Sequence, residues 1–423
     1  MTTTYHRLPE RLLTDLAAGN GGPEACRALA QAQLSKHLLL ISDLLRRWTG
    51  PAAEHDRIIA ALDAARSADP AAADRVLGSP QVGAWVTIVN RAAAQGIAAP
   101  ADLAHLSSVA AVTCAAAGVD TEMIIQTRDG AVSLPGLGSL TVGDRAAVTL
   151  TITNGVPAVG SSMAAPGNDK WQPVRVLRAE SRGIGIEVAL DDLDLFRHGY
   201  HAPPAPRLPA DEFARWQDLF AEAWQLLTDH LPDRAAELAA GLRVLVPLRD
   251  DGRSSRSATI RHLFGVFGLT RPATAADLVV TMVHEFQHAK LSGLVGLEEL
   301  TDPADTGRYF APWRTDPRPL AGLVQGVYAF AGVADAWRAL SAADGVADLA
   351  VQEFADARLF VDKSLAEVES SGALTAAGER FTGELRRFAD SLLAVQLPDP
   401  VTSESDRRYA AIHQRWSAAN ARA

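Results

Sequence analysis

The sequence predicts an α+β fold with a helical N-terminal part, a β-rich middle and a helical C-terminal half. Apolar residues recur at helical spacing over residues 8 to about 117. β-branched runs broken by Asp-Gly, Asn-Gly and Pro-Gly turns fill residues 121 to about 192. Long amphipathic stretches then return. We therefore divide the chain into regions 1–118, 119–201 and 202–423.

The elements follow in chain order. "LPERLLTDLAAG", "EACRALAQAQLSKHLLLISDLLRRW" and "ADLAHLSSVAAVTCAAAG" predict N-terminal helices, and short strands and hairpins follow Gly118. The proline-rich stretch "APPAPRLP", residues 202–209, predicts a linker. Two strands, 242–248 and 262–269, precede the helix that carries "HEFQH". Four helices are expected after it, at about 318–340, 344–371, 374–395 and 404–421.

Composition excludes several classes of protein. The 50 acidic and 40 basic residues give a net charge of −10, which argues against a nucleic-acid footprint across the surface. The two cysteines supply neither a disulfide framework nor an iron-sulfur cluster. Because we find neither a signal-peptide pattern nor a run of about 18 apolar residues, we expect a cytoplasmic protein without a membrane span.

The stretch "LVVTMVHEFQHAKL", residues 278–291, is the strongest functional signal. Thr274 and Asp277 predict the start of a helix, and on a helix His284 and His288 lie on one face at adjacent turns. Two imidazoles on a buried helix are costly unless something binds them, so we expect a metal site there. Glu285 points about 100° away and is better placed to reach a metal-bound water than the metal.

The third ligand separates this chain from known zinc peptidases. Leu291 and Leu294 stand where metzincins carry Gly and a third His. The next helix, "RPLAGLVQGVYAFAGVADAW", has no Glu of the gluzincin type. Its polar candidate is Gln325, and Asp316 in the preceding turn is the alternative.

The turn "RYFAPWRTDPRPL", residues 308–320, places three arginines next to this helix. Arginine forks bind carboxylates in bidentate fashion, so Arg314 and Arg318 are candidates to hold a dicarboxylate. The alternative is an Asp–Arg pair that only tethers the turn to the core.

Together, these motifs resemble the family of HExxH-type peptide-modifying proteins encoded beside ribosomally made precursor peptides, which are regarded as iron- and α-ketoglutarate-dependent peptide β-hydroxylases. The resemblance rests on "FGVFGLTRPATAADLVVTMVHEFQHAKL" followed by "YFAPWRTDPRPLAGLVQGVYAFAGVADAW". It extends in order over "RDGAVSLPGLG", "WQPVRVL", "LDDLDLFR" and "SGALTAAGERF", and so covers most of the chain.

The resemblance implies a site, a reaction and partners. His284 and His288 would bind Fe(II), with Gln325 or Asp316 as third ligand, and Arg314 or Arg318 would hold α-ketoglutarate (2-oxoglutarate). With O2, the enzyme would hydroxylate a β-carbon of a ribosomally synthesised precursor peptide and release succinate, leaving Glu285 a secondary or proton-handling role. Other maturation enzymes of the same cluster are candidate partners.

Two other classes of function stay open: a Zn(II) metallopeptidase of the HExxH type, and a metal-stabilised peptide-binding protein. His262 is also a candidate for a substrate groove. The candidate is weak, because a lone histidine beside a strand is more often structural. The acidic run "LDDLDLF" favours a solvated turn over a surface for basic peptides.

Overall fold

The computed structural model describes residues 8–200, 202–252 and 255–420, and the fold over these residues is α+β, as the sequence predicts. The N-terminal part is helical. Its helices are α1 (Glu10–Ala17), α2 (Gly22–Arg46), α3 (Ala52–Ala68), α4 (Pro70–Leu77), α5 (Pro80–Ala94), α6 (Pro100–Ala104) and α7 (Leu106–Ala116). Asp69 and Ser79 cap α4 and α5 with their side chains, each directly before a proline whose missing N–H suits the first helical turn.

The middle of the chain forms short strands. They are β1 (Thr121–Gln126), β2 (Ala131–Leu134), β3 (Gly138–Thr141), β4 (Ala147–Thr153), β5 (Val156–Val159), β6 (Ser162–Met163), β7 (Trp171–Pro173), β8 (Arg175–Ser181) and β9 (Ile184–Leu190). The predicted turn at Asn154 is confirmed, since Asn154 and Gly155 have φ of 51° and 77° between the paired strands β4 and β5. Two antiparallel sheets result, β1-β4-β5-β6 and β2-β3-β7.

A third sheet joins the middle of the chain to the C-terminal half. After α8 (Ala210–His230) and α9 (Pro232–Gly241) come β10 (Val244–Pro247), β11 (Ser257–Ala258) and β12 (Val266–Leu269). The sheet has the order β11-β12-β10-β9-β8, and β10 pairs in parallel with both β9 and β12. The predicted strand over 262–269 is therefore shorter than expected, and β11 was missed because a two-residue strand carries no periodic signal.

The predicted linker, residues 202–209, packs beside the third sheet, and residue 201 at the predicted boundary lies outside the described residues. Ala202 and Ala205 are buried, and the Ala205 N–H donates to the Pro247 carbonyl. The proline-rich composition does produce an extended chain, but an extended chain also packs well beside a sheet. The regions 119–201 and 202–423 consequently share one core.

The acidic run that precedes this segment is buried, which corrects the expected solvated turn. Asp192 accepts hydrogen bonds from the guanidinium groups of Arg175 and Arg207 and from the Leu208 backbone N–H. Asp191 accepts from the Gln81 side chain at 3.0 Å. Charged residues in a short run suggest solvent exposure, but here arginines distant in sequence compensate part of the cost of burial.

The C-terminal half consists of long helices. They are α10 (Ala275–Val295), α11 (Leu320–Leu340), α12 (Ala347–Ser370), α13 (Ala376–Leu393) and α14 (Asp399–Asn420). By length and composition α11 alone among the described residues is apolar enough to cross a membrane, and 72% of that stretch is buried inside the protein. It contacts α10 and α12, as a core helix does.

The five-stranded sheet separates two hydrophobic cores. Leu245 and Phe267 belong to the core formed with α8, α10 and α11. Val244, Val246 and Val266 point to the opposite side and join the core of the N-terminal helices and the β1–β4 sheet. Because side chains alternate along a strand, β10 and β12 are apolar on both faces. One edge of this sheet, β11, lies against α10.

Candidate functional site

Helix α10 presents His284 and His288 side by side, as the sequence predicts. The helix begins where expected, because the Thr274 side chain accepts from the Asp277 N–H at 3.1 Å. The two imidazole ring centroids are 4.7 Å apart, with the planes at 86°. Phe330 of α11 meets the edge of the His284 ring at 5.2 Å between centroids. Burial lowers the pKa of His284 to about 3, and His288 adds to the effect, so this imidazole is neutral at pH 7 and able to bind a cation.

Glu285 is held by hydroxyl groups of the sheet edge. Ser257 Oγ donates to Glu285 Oε1 at 2.7 Å, and Thr259 Oγ1 donates to Oε2 at 2.6 Å. The carboxylate is 3% exposed, and its Oε1 lies 3.9 Å from His284 Nε2. Sequence reasoning missed Ser257 and Thr259, whose only signal was the hydroxyl-rich "SSRSAT" before the predicted strand.

Gln325 of α11 contacts the histidine pair directly. Its Oε1 lies 3.2 Å from His288 Nδ1, and its Nε2 lies 3.4 Å from Ser292 Oγ. If two atoms bind the same metal ion at about 2.1 Å, and the two bonds form an angle of roughly 90°, the atoms lie about 3 Å apart. The distance between Gln325 Oε1 and His288 Nδ1 is close to that value. A protonated Nδ1 would instead donate to Gln325, which would orient the imidazole. The first arrangement makes Gln325 a ligand, and the second makes it the group that orients His288.

Asp316, the alternative third ligand, is occupied elsewhere. Its Oδ1 accepts from Arg314 Nε at 2.9 Å, and its Oδ2 accepts from Arg318 Nη1 at 3.1 Å. The Arg314 hydrogen bond, opposed by partial burial and aided by Arg318, lowers the pKa of Asp316. An Asp–Arg pairing is thus present, but it joins residues within the turn and does not tether the turn to the core. The two arginines still line the cavity beside the histidines, with N–H groups to spare.

The turn that carries these arginines is fixed by packing. Tyr309 and Arg318 form an antiparallel backbone bridge, so the segment between them closes on itself. Trp313 stacks on Phe330 with 4.3 Å between ring centroids and an angle of 14°. Since Phe330 also touches His284, the turn and the histidine pair share one aromatic support.

These groups surround a cavity of about 550 Å³. It is lined by residues of β11 and the loop after it, of α10, of the arginine turn and of α11: Ser257, Ala258, Thr259, Arg261, His284, Glu285, His288, Ser292, Trp313, Arg314, Arg318, Pro319, Ala321, Gly322, Gln325, Gly326 and Phe330. Three arginines line the cavity, and the carboxylates of Glu285 and of Asp316, which pairs with two of those arginines, leave one positive formal charge in excess. It therefore favours an anionic ligand.

His262 does not line this cavity, contrary to the weak prediction. Its side chain is exposed, and its carbonyl accepts from Lys36 Nζ at 3.0 Å. The segment is a turn before β12, so the neighbouring Arg261 faces the cavity instead. A prediction that began the strand at residue 262 placed the histidine on the wrong side of that turn.

Lys290 of α10 is fully buried on the helix face away from the cavity. Its Nζ donates to Glu237 Oε2 at 2.7 Å. Arg234 pairs with the same carboxylate at 3.2 Å and with Asp335. Helix α10 continues to Val295, which moves Lys290 into the interior. The ion pairs fix α10 against α9 and α11.

The donor set fits a two-histidine metal site completed by an amide oxygen. In residues 8–200, 202–252 and 255–420, no group of three His, Cys, Asp or Glu side chains could hold a metal. A third protein ligand beside His284 and His288 would therefore have to be of another type, and the Gln325 amide is the side chain that contacts His288. No protein-family model and no curated protein matches the chain.

Proposed function

We propose that this protein is an Fe(II)- and α-ketoglutarate-dependent hydroxylase that acts on a β-carbon of a ribosomally synthesised precursor peptide. The observation that supports it most is the cationic cavity that surrounds His284 and His288. A dicarboxylate cosubstrate needs cationic partners beside the metal, whereas hydrolysis of a peptide by zinc does not.

The residues have separate roles in this proposal. His284, His288 and Gln325 would hold the iron, and Arg314 and Arg318 would bind a carboxylate of α-ketoglutarate with N–H groups not directed at Asp316. Bound iron with α-ketoglutarate and O2 supplies the oxidation that inserts one oxygen atom into a C–H bond, with succinate and CO2 as the other products. Trp313 and Phe330 would exclude water from that region.

Glu285 fits a supporting role. Both of its oxygens accept hydroxyl hydrogen bonds, so it ties β11 to α10 beside His284. In a peptidase this glutamate activates the zinc-bound water, and the 3.9 Å between Glu285 Oε1 and His284 Nε2 keeps that second function under consideration. The zinc peptidase is therefore the alternative. The partners would be a precursor peptide and other maturation enzymes in the cytoplasm, with no nucleic acid or membrane.

The experiment is anaerobic reconstitution with Fe(II), followed by α-ketoglutarate, a neighbouring precursor peptide and air. We expect succinate and a peptide heavier by one oxygen. His284→Ala should abolish both products, and His262→Ala is the matched control, since its side chain does not line the cavity. A shortened peptide formed with Zn(II) alone, and lost in Glu285→Gln, would instead establish the peptidase.

A further inference from the structure

A second cavity of about 240 Å³ opens beside the first. The two share Arg261, Ala321 and Gln325, so the candidate metal position and the second cavity meet at one junction. The second cavity extends along the C-terminal end of α10 and the first turns of α11.

The second cavity has an aliphatic wall beside its polar side chains. Leu291, Val295, Leu300 and Val324 supply aliphatic surface. The loop that carries Leu300 is tied to the turn before α13, because the Thr375 N–H donates to the Leu300 carbonyl at 3.1 Å. A preformed apolar cavity of this size suits one side chain of a bound ligand.

Arg261 stands at the junction without a partner. Over the described residues its side chain has no hydrogen bond and no ion pair, in contrast to Arg314 and Arg318, which share Asp316. An unpaired guanidinium facing two cavities is a donor fork for a carboxylate. Glu299 adds a negative charge to the second cavity, which disfavours an acidic group there. A ligand carboxylate is therefore directed to Arg261.

We propose that Arg261 and the second cavity form a subsite that binds a ligand carboxylate at Arg261 and an adjacent apolar side chain against Leu291, Val295, Leu300 and Val324. A peptide is favoured as the source of the carboxylate, because the aliphatic wall of the second cavity lies beside Arg261 and would suit a neighbouring side chain. The identification of the ligand as a peptide rests on the proposed function. The carboxylate contact itself needs no metal.

The test is a binding titration with metal removed by a chelator, followed by ligand-observed NMR. The probes are a capped alanine-based peptide with a central Asp-Leu pair, the same peptide with Asn-Leu, and glutarate as a small dicarboxylate. Wild-type protein should prefer the Asp-Leu peptide by about tenfold in Kd, which is about 1.4 kcal/mol. Arg261→Gln should remove that preference, and Arg308→Gln, an exposed arginine outside both cavities, should retain it.

The outcomes separate the sources of the carboxylate. Loss of the Asp-Leu preference in Arg261→Gln supports the peptide, whereas an affinity loss confined to glutarate supports a small dicarboxylate at the same residue. Equal affinities of wild-type protein and Arg261→Gln for all probes, or no binding by wild-type protein, would overturn the subsite. The binding titration needs neither metal nor turnover, so its result can be interpreted even if the hydroxylase assay fails. Melting temperatures of the variants check that they fold.

Discussion

The polar side chains on the two faces of α10 have different surroundings. On the cavity face, His284, Glu285 and His288 line open space and keep capacity for a ligand. On the opposite face, Lys290 is fully buried, and Glu237 and Arg234 complete a closed set of ion pairs around it. The faces lie on one helix of 21 residues.

This difference shows that residues on one face of a helix can contribute mainly to stability while residues on the other face contribute mainly to ligand binding. Removal of a partner from the closed face leaves a buried charge uncompensated, which is strongly destabilising. The open face already lacks some partners, so truncation there removes binding capacity more than stability. Two measurements test this separation, and two more test buried carboxylates that hydrogen bonds or burial affect.

The largest effect is expected from Lys290→Met. The substitution keeps an unbranched apolar chain but leaves Glu237 with Arg234 as its cationic partner, so the free energy of unfolding should fall by about 3–5 kcal/mol. Urea denaturation followed by tryptophan fluorescence measures it. Lys363→Met is the matched control at a half-exposed lysine with a 3.7 Å pair, and it should change stability by less than about 1 kcal/mol. Equal effects of the two variants would contradict the separation.

Gln325→Ala should act on metal binding and hardly on stability. Loss of a ligand or of the group that orients His288 should weaken Fe(II) or Co(II) binding by about 10- to 100-fold. Competition against a chromophoric chelator gives the affinity. Asp316→Asn is the control, because Asp316 itself does not line the cavity and pairs with Arg314 and Arg318. A larger loss of metal affinity in Asp316→Asn would reverse the choice of third ligand.

Thr259→Val should destabilise the sheet edge by about 1.5 kcal/mol. The variant keeps the shape of the side chain but removes the hydroxyl that donates to Glu285 Oε2 at 2.6 Å, which leaves a buried carboxylate short of one donor. Thermal unfolding measures the change. Thr281→Val, the same substitution on α10 itself, is the control. If Thr259→Val and Thr281→Val lowered the melting temperature equally, the anchoring of Glu285 by β11 would be contradicted.

The last measurement tests a buried carboxylate outside α10, Asp194, which has Arg197 as a nearby cation. Burial, with Asp191 nearby, raises the pKa of Asp194 to about 8. A folded-state pKa above the unfolded value means that wild-type stability falls as pH rises from about 4 to about 8. Asp194→Asn should therefore gain stability relative to wild type at pH 9 but not at pH 4. Asp192→Asn should lose stability at pH 9, since two arginines pair with Asp192. A pH-independent difference for Asp194→Asn would contradict the assigned direction.

Much of the fold was predictable because periodicity is a local property. The helices α10 and α11, the cap at Thr274 and the change to strands after Gly118 follow from spacing, capping and turn chemistry. The pair His284 and His288 follows from helical geometry alone. The two-residue strand β11 and the burial of Asp192 were not predictable, because each depends on partners distant in sequence.

The sequence by itself determined the long helices of the C-terminal half, the α+β class and the histidine pair, since each depends on neighbours within a few turns. Only the tertiary structure decided that Gln325 contacts His288, that Asp316 is held by Arg314 and Arg318, and that Arg261 rather than His262 faces the cavity. The physical reason is that spacing fixes which face of an element a residue occupies, whereas the packing of α10, α11 and β11 fixes what that face meets.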